Sequence, residues 1–245
     1  MNAAFVFNVS YYLFWYFFIT YFSGKLVAKG MKVNYTRKIN HFVMFLSPFV
    51  AEGLFPYHRT PLTGLLYMIM IICTILILVK PIRSRVPYIN VMFSSFDRPE
   101  DRPHTLQWLF TQIIGVFIVI IGFSIFLQED QRESLLLIPM FINAFGDGLA
   151  EPVGIRFGKH HYKTRALFTK KTYVRTLEGS AMVFISGVLT ILLVQDLFTM
   201  PQLIVALVTI PILTTLTEAL APHTWDTPFI FLVGVSIPVL ILHFV

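Results

Sequence analysis

Long apolar runs alternate with short polar loops along this chain. About 20 mainly apolar residues are needed to cross the hydrocarbon core of a membrane, and eight runs approach that length. The second run is the shortest and carries Glu52. The pattern predicts an all-α fold, a polytopic transmembrane helical bundle of about eight helices, as one integral membrane domain over residues 1–245. The predicted spans are 3–22, 41–57, 61–80, 105–127, 134–155, 177–195, 200–221 and 227–244.

The composition agrees with a membrane protein and leaves no room for a soluble domain. Of 245 residues, 56% are hydrophobic and 13% are charged, which is far from the usual make-up of a soluble domain. An active site would therefore consist of helix ends and the loops that join them. The single cysteine, Cys73, excludes an intrachain disulfide and a cysteine-based metal site.

Basic residues are concentrated in alternate loops. All Lys and Arg residues except Arg59 and Arg132 follow the first, third or fifth predicted helix. Because cytoplasmic loops carry the positive excess, this pattern places those loops in the cytoplasm and both termini outside. The net charge of +6 therefore reports topology and contact with membrane lipids. A nucleic-acid partner is disfavoured, because the basic residues are split among loops without interleaved aromatics.

Several acidic residues lie inside apolar helices or at their ends, where a charge costs about 2.5–3.5 kcal/mol on insertion scales. They all fall on the predicted cytoplasmic side, which suggests one shared site. Carboxylate oxygens suit Mg²⁺, and neighbouring Lys and Arg side chains suit a polyphosphate. This is the general layout of phosphoryl or nucleotidyl transfer. The acids are Asp147, Glu151, Glu178, Glu218 and Asp226, and the cations are Arg37, Lys38, Arg156, Lys159 and Arg175.

Glycines cluster around the first of these acids, at positions 146, 148, 154 and 158. They would let backbone N–H groups approach an anion, although glycine in membrane helices also serves close packing. The stretch Gly154 to Lys159 is not a P-loop. It is one residue short, and His160 stands where Ser or Thr is required.

Five short polar elements follow one another along the second half of the chain. They are Gly146-Asp-Gly-Leu-Ala150, Gly154-Ile-Arg-Phe-Gly-Lys159, Arg175-Thr-Leu-Glu-Gly-Ser180, Glu218-Ala-Leu-Ala-Pro222 and Asp226. Together they resemble the polyprenol kinase family, which includes dolichol kinase and phytol kinase. Residues 37–41 are also similar to an N-terminal Arg-Lys-x-x-His element of that family. The chain departs from the family pattern at Arg175, where Lys is usual, and at Thr227, where Asn is common.

The resemblance implies a Mg²⁺-dependent membrane kinase that transfers the γ-phosphoryl group of CTP to the hydroxyl of an isoprenoid alcohol. Asp147 would hold Mg²⁺, with Glu151 or Glu178 completing its shell. Glu218 and Asp226 would contact a second metal ion or take the proton of the hydroxyl. Together with Asp147 and Glu178 they form the catalytic set that the resemblance implies. The implied nucleotide-binding set is Gly146, Gly148, Arg156, Gly158, Lys159, Arg175, Gly179, Ser180, Arg37, Lys38 and His41.

Two other functions remain open at this stage. A CTP-dependent cytidylyltransferase acting on a lipid phosphate shares a distantly similar pattern, and buried carboxylates also serve cation-coupled transporters. Several polar residues also have simpler interpretations. The basic residues of 163–171 are expected to contact anionic lipid, and His160 and His161 to lie in a solvated loop. Residues 97–102 are expected to form a self-paired surface loop, and Glu52 is either a supporting acid or misplaced by the helix boundary.

Overall fold

The computed structural model describes residues 3–128, 133–167 and 170–245. Within the membrane domain predicted over 1–245, the chain forms two compact units that divide between Phe110 and Thr111. Arg132, which the sequence places in an outer loop, lies outside the described residues.

The described chain is mainly helical. Besides its α-helices and connecting loops it contains one antiparallel hairpin of two strands and short 3₁₀ and π turns, and the π turn covers Ile142–Asp147. The helices are α1 (Ala3–Ala28), α2 (Val33–Leu54), α3 (Pro61–Leu76), α4 (Lys80–Arg83), α5 (Pro87–Ser94), α6 (Thr105–Gln128), α7 (Leu137–Phe141), α8 (Gly148–Phe157), α9 (Leu177–Leu193), α10 (Met200–Leu220) and α11 (Asp226–Phe244), and the strands are β1 (His161–Arg165) and β2 (Thr172–Thr176).

Local sequence signals explain where several helices begin. The Thr60 side chain accepts a hydrogen bond from the Thr63 backbone N–H, and Pro61 occupies the first turn of α3. Thr176 caps α9 in the same way by accepting from the Gly179 N–H. These side chains satisfy backbone donors that have no partner within the helix.

The predicted fold class, an all-α bundle of membrane helices, is confirmed. Within the described chain, five helical segments are both long enough and apolar enough to cross a membrane. Two further apolar helices, α3 and α9, have 16 and 17 residues. At 1.5 Å per residue these are roughly 24–26 Å long, slightly less than the hydrocarbon thickness. The five segments are Ala3–Ala28, Thr105–Leu127, Glu133–Phe157, Met200–Leu220 and Asp226–Phe244.

The second predicted span is where sequence and structure differ most. Helix α2 begins at Val33, eight residues before the predicted start at 41, and it is not among the five segments. Its first half is polar but buried, since Thr36 donates to the Ser95 carbonyl oxygen at 3.0 Å. Asn40 donates to the Ser95 hydroxyl at 2.7 Å. Hydropathy cannot recognise a helix whose buried face is hydrogen-bonded instead of apolar.

The first unit packs α1 against α2 and α5. Its core is aromatic, with Tyr12 and Tyr16 of α1 fully buried beside Met92 of α5. Gly24 of α1 permits the contact with α5, because a Cβ there would lie 2.0 Å from the Val91 carbonyl oxygen. Only glycine fits such an approach.

The second unit is built from the helical segments that follow Thr111. Its core is aliphatic and includes Ile138, Ile191, Ile210 and Ile230. Helices α9 and α10 approach closely, since a Cβ on Gly187 would lie 2.9 Å from the Cα of Pro211. The hairpin and the ends of α8, α9, α10 and α11 belong to this unit.

Candidate active site

The hairpin β1–β2 lies in a segment that the sequence predicts to be a loop, so that interpretation is wrong for residues 161–165 and 172–176. Side chains alternate between its two faces. Lys163 and Arg165 are exposed, whereas Tyr162 is half-buried and Thr164 is buried. Tyr162 pairs directly with Arg175 across the strands. The hairpin therefore carries Arg175 on its buried face.

The turn between α10 and α11 is fastened to the hairpin. The His223 N–H donates to the Arg165 carbonyl oxygen at 2.7 Å, and Thr164 donates to the Ala221 carbonyl oxygen at 3.0 Å. The His223 ring stacks on Tyr173 with centroids 3.6 Å apart. These contacts bring the ends of α10 and α11 next to β2.

Arg175 joins the two acids at those helix ends. Its Nη1 donates to Glu218 Oε1 at 2.5 Å and also to the Glu218 carbonyl oxygen, and its Nη2 donates to Asp226 Oδ2 at 3.1 Å. The side chains of Arg175 and Glu218 are 12% and 5% exposed, so the pair is largely desolvated. A guanidinium suits this position because its planar fork can contact two carboxylates at once.

The pKa of Arg175 reflects these neighbours. Burial alone acts to lower the pKa of its guanidinium and is the largest single effect. The negative charges of Asp226 and Glu218, with a further contribution from Asp147, together outweigh burial and raise the pKa above its ordinary value. Arg175 therefore keeps its positive charge at neutral pH.

Ser180 and Tyr162 extend the cluster. Ser180 Oγ donates to Glu218 Oε2 at 2.9 Å, and Tyr162 Oη lies 2.7 Å from Ser180 Oγ. Burial raises the pKa of the Tyr162 phenol, and the nearby Glu218 carboxylate raises it further. Ser180 was predicted from the sequence, but Tyr162 was not. The alternating pattern of β1 could have indicated an inward Tyr162, although the segment is short and highly charged.

Asp147 ends the π turn, and its residue is only 7% exposed. π turns open the helical hydrogen-bond pattern and often occur at functional sites. The preceding Gly146 sits against α9, because a Cβ there would lie 2.9 Å from the Cα of Val183. The charge of Asp147 contributes to the pKa of Arg175, so this carboxylate belongs to the same electrostatic cluster.

The glycines of the site serve helix packing. A Cβ on Gly179 would lie 2.7 Å from the Ala150 carbonyl oxygen, which joins α9 to α8. Cβ atoms on Gly154 and Gly158 would lie 2.7 Å and 2.5 Å from side-chain atoms of Thr176. The sequence allowed two roles for Gly154 and Gly158, anion binding by the backbone and close packing. These contacts support close packing. Gly148 is also buried, at the start of α8.

Glu178 lies at the edge of this cluster with a partner of its own. His160 Nδ1 lies 2.8 Å from Glu178 Oε1, and the His160 backbone N–H donates to the same carboxylate at 3.3 Å. His160 is exposed, as the sequence predicts, but it does contact an acid. Lys159 and Arg156 are exposed beside it, at the end of α8.

The acidic residues of the site could supply only part of the coordination shell of a magnesium ion. Among residues 3–128, 133–167 and 170–245 no group of three or more His, Cys, Asp or Glu side chains is placed to hold a metal ion. Asp147, Glu151 and Glu178 therefore do not form a ready-made three-ligand cage. Mg²⁺ often uses only one or two carboxylates and completes its shell with water and phosphate oxygens. Buried Asp147 suits that role, with half-buried Glu151 four residues further on.

Arg37, Lys38 and His41 lie on α2, in the first unit. Lys38 is buried, and Arg37 Nη1 lies 4.0 Å from Asp101 Oδ2. The ring of His41 lies 4.7 Å from that of Phe45, measured between centroids. Whether these residues meet the nucleotide stays a prediction.

Residues 97–102 pair among themselves, as the sequence predicts. Arg102 Nε donates to Asp97 Oδ2 at 2.8 Å, and Arg98 Nε donates to Asp101 Oδ2 at 2.7 Å. The expectation of a surface loop is wrong for Arg98 and Asp101, which are 5% and 2% exposed. Burial of a charge requires such a partner.

Glu52 also has a structural explanation. It lies near the end of α2 and forms a two-point ion pair with Arg59. It is therefore a genuine helix residue with a partner in the following loop, in the first unit.

Four sequence elements thus meet in the second unit: the π turn with α8, the strand-to-helix junction at Arg175–Ser180, the end of α10 and the start of α11. Comparison with protein-family models, with curated proteins and with solved structures finds no match to this chain.

Proposed function

We propose that this chain is a CTP-dependent, Mg²⁺-dependent kinase that transfers the γ-phosphoryl group to the hydroxyl of an isoprenoid alcohol of the polyprenol, phytol or dolichol type. One observation carries the proposal. Arg175, Glu218 and Asp226 form one largely buried ion-pair cluster that joins the hairpin to the ends of two apolar helices, and the negative charge of Asp147 acts on the same guanidinium. The resemblance to polyprenol kinases was drawn from these same residues.

The chemistry of the cluster suits phosphoryl transfer. The reaction needs a cation near the transferred group, an acceptor for the hydroxyl proton and a site that excludes water. Arg175 brings a permanent positive charge, and Glu218 and Asp226 offer proton acceptors. When bound at Asp147, Mg²⁺ would neutralise negative charge on the phosphate oxygens. Exposed Lys159 and Arg156 are the cations that we assign to the triphosphate.

The sequence predicts that Arg175 binds the nucleotide, but the structure shows that its side chain first holds two acidic residues in place. Its guanidinium is engaged with Glu218 and Asp226, so its first effect is to fix the two acids. We propose that it acts on the nucleotide only by electrostatic attraction between its positive charge and the triphosphate. The elongated apolar acceptor would reach the cluster from the lipid, which is consistent with a site at helix ends.

We place this site on the cytoplasmic side of a multi-pass integral membrane protein. The support is the uneven distribution of positive charge. All Lys and Arg residues except Arg59 and Arg132 follow the first, third or fifth predicted helix, so they fall on one side of the membrane. A cytoplasmic site also gives access to soluble nucleoside triphosphates.

The direct test is transfer of label from CTP carrying a radioactive γ-phosphate. Protein purified in detergent is incubated with Mg²⁺ and a panel of prenyl alcohols, and lipid and soluble products are separated. Labelled lipid together with CDP supports the proposal. Labelled pyrophosphate with an unlabelled CDP-lipid, formed when a lipid phosphate is supplied, would indicate a cytidylyltransferase instead. Ion-driven solute uptake in proteoliposomes without either product would indicate a transporter.

A further inference from the structure

Glu218 is the end of a hydrogen-bonded chain that has a fixed direction. Ser180 Oγ donates its only hydrogen to Glu218 Oε2 at 2.9 Å. The contact of 2.7 Å between Ser180 Oγ and Tyr162 Oη must then use the hydrogen of the phenol. The chain therefore runs from Tyr162 through Ser180 to Glu218, and the Ser180 hydroxyl both accepts and donates.

Burial decreases along this chain from one end to the other. Glu218 and Ser180 are 4% and 6% exposed, whereas Tyr162 is half-buried on the hairpin. Glu218 is enclosed, and Tyr162 is the residue of this chain with the most exposure to solvent. Hydroxyl groups can reverse the direction of such a chain by rotation about their C–O bonds.

Asp226 has partners of a different kind. Its Oδ2 accepts from Arg175 Nη2 at 3.1 Å, and its Oδ1 accepts from the Thr227 backbone N–H at 3.1 Å. A guanidinium keeps its protons, and a backbone amide does not relay them. Of the two acids that the sequence could not rank, Glu218 is the one whose hydrogen bonds lead outward.

We propose that Glu218 is the base that takes the proton of the acceptor hydroxyl, and that Ser180 and Tyr162 pass this proton to water. The inference rests on the proposed kinase function and assigns its base and its proton exit. Glu218 touches the substrate and is catalytic in this scheme. Ser180 and Tyr162 act through it and are positioning residues.

The proton balance of the step is complete. As the alcohol oxygen bonds to the γ-phosphorus and the bond from that phosphorus to the bridging oxygen breaks, the hydroxyl proton moves to Glu218 and the nucleoside diphosphate leaves. The two hydroxyls first rotate, so that the Ser180 hydrogen points to Tyr162 and the Tyr162 hydrogen points to water. Glu218 Oε2 then gives its proton to Ser180 Oγ, Ser180 gives its own hydrogen to Tyr162 Oη, and Tyr162 releases its hydrogen to water. This transfer leaves both hydroxyls in their starting direction.

The test is a double-mutant cycle on the single-turnover rate of label transfer from γ-labelled CTP to a prenyl alcohol. The variants are Tyr162→Phe, Ser180→Ala and their combination. Tyr173→Phe is the matched control, because it removes a phenol oxygen from the neighbouring strand while the ring can still stack on His223. Glu218→Gln and Asp226→Asn are compared in the same assay.

Each single relay variant is expected to lower the rate about tenfold with little change in KM, less than the roughly 100-fold or more that a general base contributes. The double variant is expected to be no slower than either single variant, because both break one chain. Tyr173→Phe should retain the wild-type rate. Glu218→Gln should be slower than Asp226→Asn at equal nucleotide saturation.

Three results would overturn the relay. These are a Tyr162→Phe rate equal to that of Tyr173→Phe, losses that multiply in the double variant, and an Asp226→Asn rate below that of Glu218→Gln. If Ser180→Ala does not fold, the rate in mixtures of H₂O and D₂O decides. The wild type should show a curved dependence with several protons moving and Tyr162→Phe a different curve, whereas identical curves contradict the relay. A wild type that labels no lipid removes the proposed function itself, and the relay with it.

Discussion

Arg175 Nη1 lies 2.5 Å from Glu218 Oε1 and thereby ties β2 to the last turn of α10. The two residues are 43 positions apart, and both are largely removed from solvent. Neither charge is stable there alone, because an uncompensated charge in a desolvated site is strongly unfavourable. The ion pair therefore holds β2 against α10 and also dominates the electrostatics of the site.

Replacement of Arg175 by Met should destabilise the protein by about 3–5 kcal/mol, the usual cost of breaking a buried ion pair from one side. Arg175→Lys should be intermediate, because an ammonium keeps the charge but lacks the fork that reaches both acids. Thermal unfolding in detergent measures both. Arg59→Met is the matched control, since its pair with Glu52 is exposed and is worth at most about 1 kcal/mol. Equal losses in Arg175→Met and Arg59→Met would contradict the burial argument.

Asp147→Asn should lower label transfer at least about 100-fold while expression and membrane insertion stay intact. The amide has nearly the shape of the carboxylate but carries no charge for a divalent cation. Asp196→Asn provides the comparison, because Asp196 lies in the 3₁₀ turn between α9 and α10, on the predicted outer side. Wild-type turnover in Asp147→Asn would refute the metal assignment.

Gly179→Ala should weaken the junction between α8 and α9. The added methyl group would lie 2.7 Å from the Ala150 carbonyl oxygen, and backbone cannot move aside cheaply. Overpacking of this kind costs about 1–3 kcal/mol. Gly122→Ala, on α6, has nothing within 4 Å of the new methyl group and should be neutral or slightly stabilising. Thermal unfolding of both variants compares them, and a Gly179→Ala protein as stable as Gly122→Ala would show that the helices are not in tight contact.

Tyr162 should contribute to the free energy of unfolding, and this contribution should be lost at high pH. Burial, with the Glu218 charge, raises the pKa of this phenol above the ordinary value of about 10. Folding therefore favours the protonated form. The contribution is fully present below the unfolded pKa and disappears as the pH rises through the folded pKa.

The check is the difference in unfolding temperature between the wild type and Tyr162→Phe from about pH 9 upward. The wild type should lose stability more steeply than the variant over that range. Parallel curves would mean that the phenol titrates normally and is not enclosed by the cluster. Tyr173→Phe serves again as the control on the same hairpin.

The sequence predicts the helices and the charged centre of the site because both follow from the cost of placing polar groups in lipid. Asp147, Glu218 and Asp226 stand out for that reason. The same rule places the start of α2 eight residues too late, because Thr36 and Asn40 in its first turns are hydrogen-bonded to Ser95. Tyr162 is missed because its inward direction depends on strand pairing, which a run of charged residues does not reveal.

The partners of each acid also depend on tertiary contacts. The resemblance implies that Glu151 or Glu178 completes the metal shell, but His160, 18 residues away from Glu178, contacts the Glu178 carboxylate. A sequence indicates which residues carry charge at the membrane edge. It does not indicate which opposite charge each of them meets.

Lys163 and Asp196 should be accessible from opposite sides of the membrane. Lys163 lies on the exposed face of the hairpin that precedes α9, and Asp196 follows that helix. With 17 residues, α9 is roughly 26 Å long, so it can cross only if its ends lie within the interfacial region or the bilayer thins locally. The 3₁₀ turn Gln195–Leu197 follows α9 closely and lengthens the helical segment.

Single cysteines at Lys163 and Asp196, on a Cys73→Ala background, can be labelled in intact cells with a maleimide that does not cross membranes. We expect labelling at 196 from outside and at 163 only after the membrane is permeabilised, because the charge pattern predicts that the basic loops are cytoplasmic. The Cys73→Ala protein alone should remain unlabelled. Labelling of both positions from one side would mean that α9 does not cross, and the short helix would then lie within the bundle on one face. Labelling in the reverse order would place the charged cluster outside, away from cellular nucleotides, and would leave the kinase proposal without its donor.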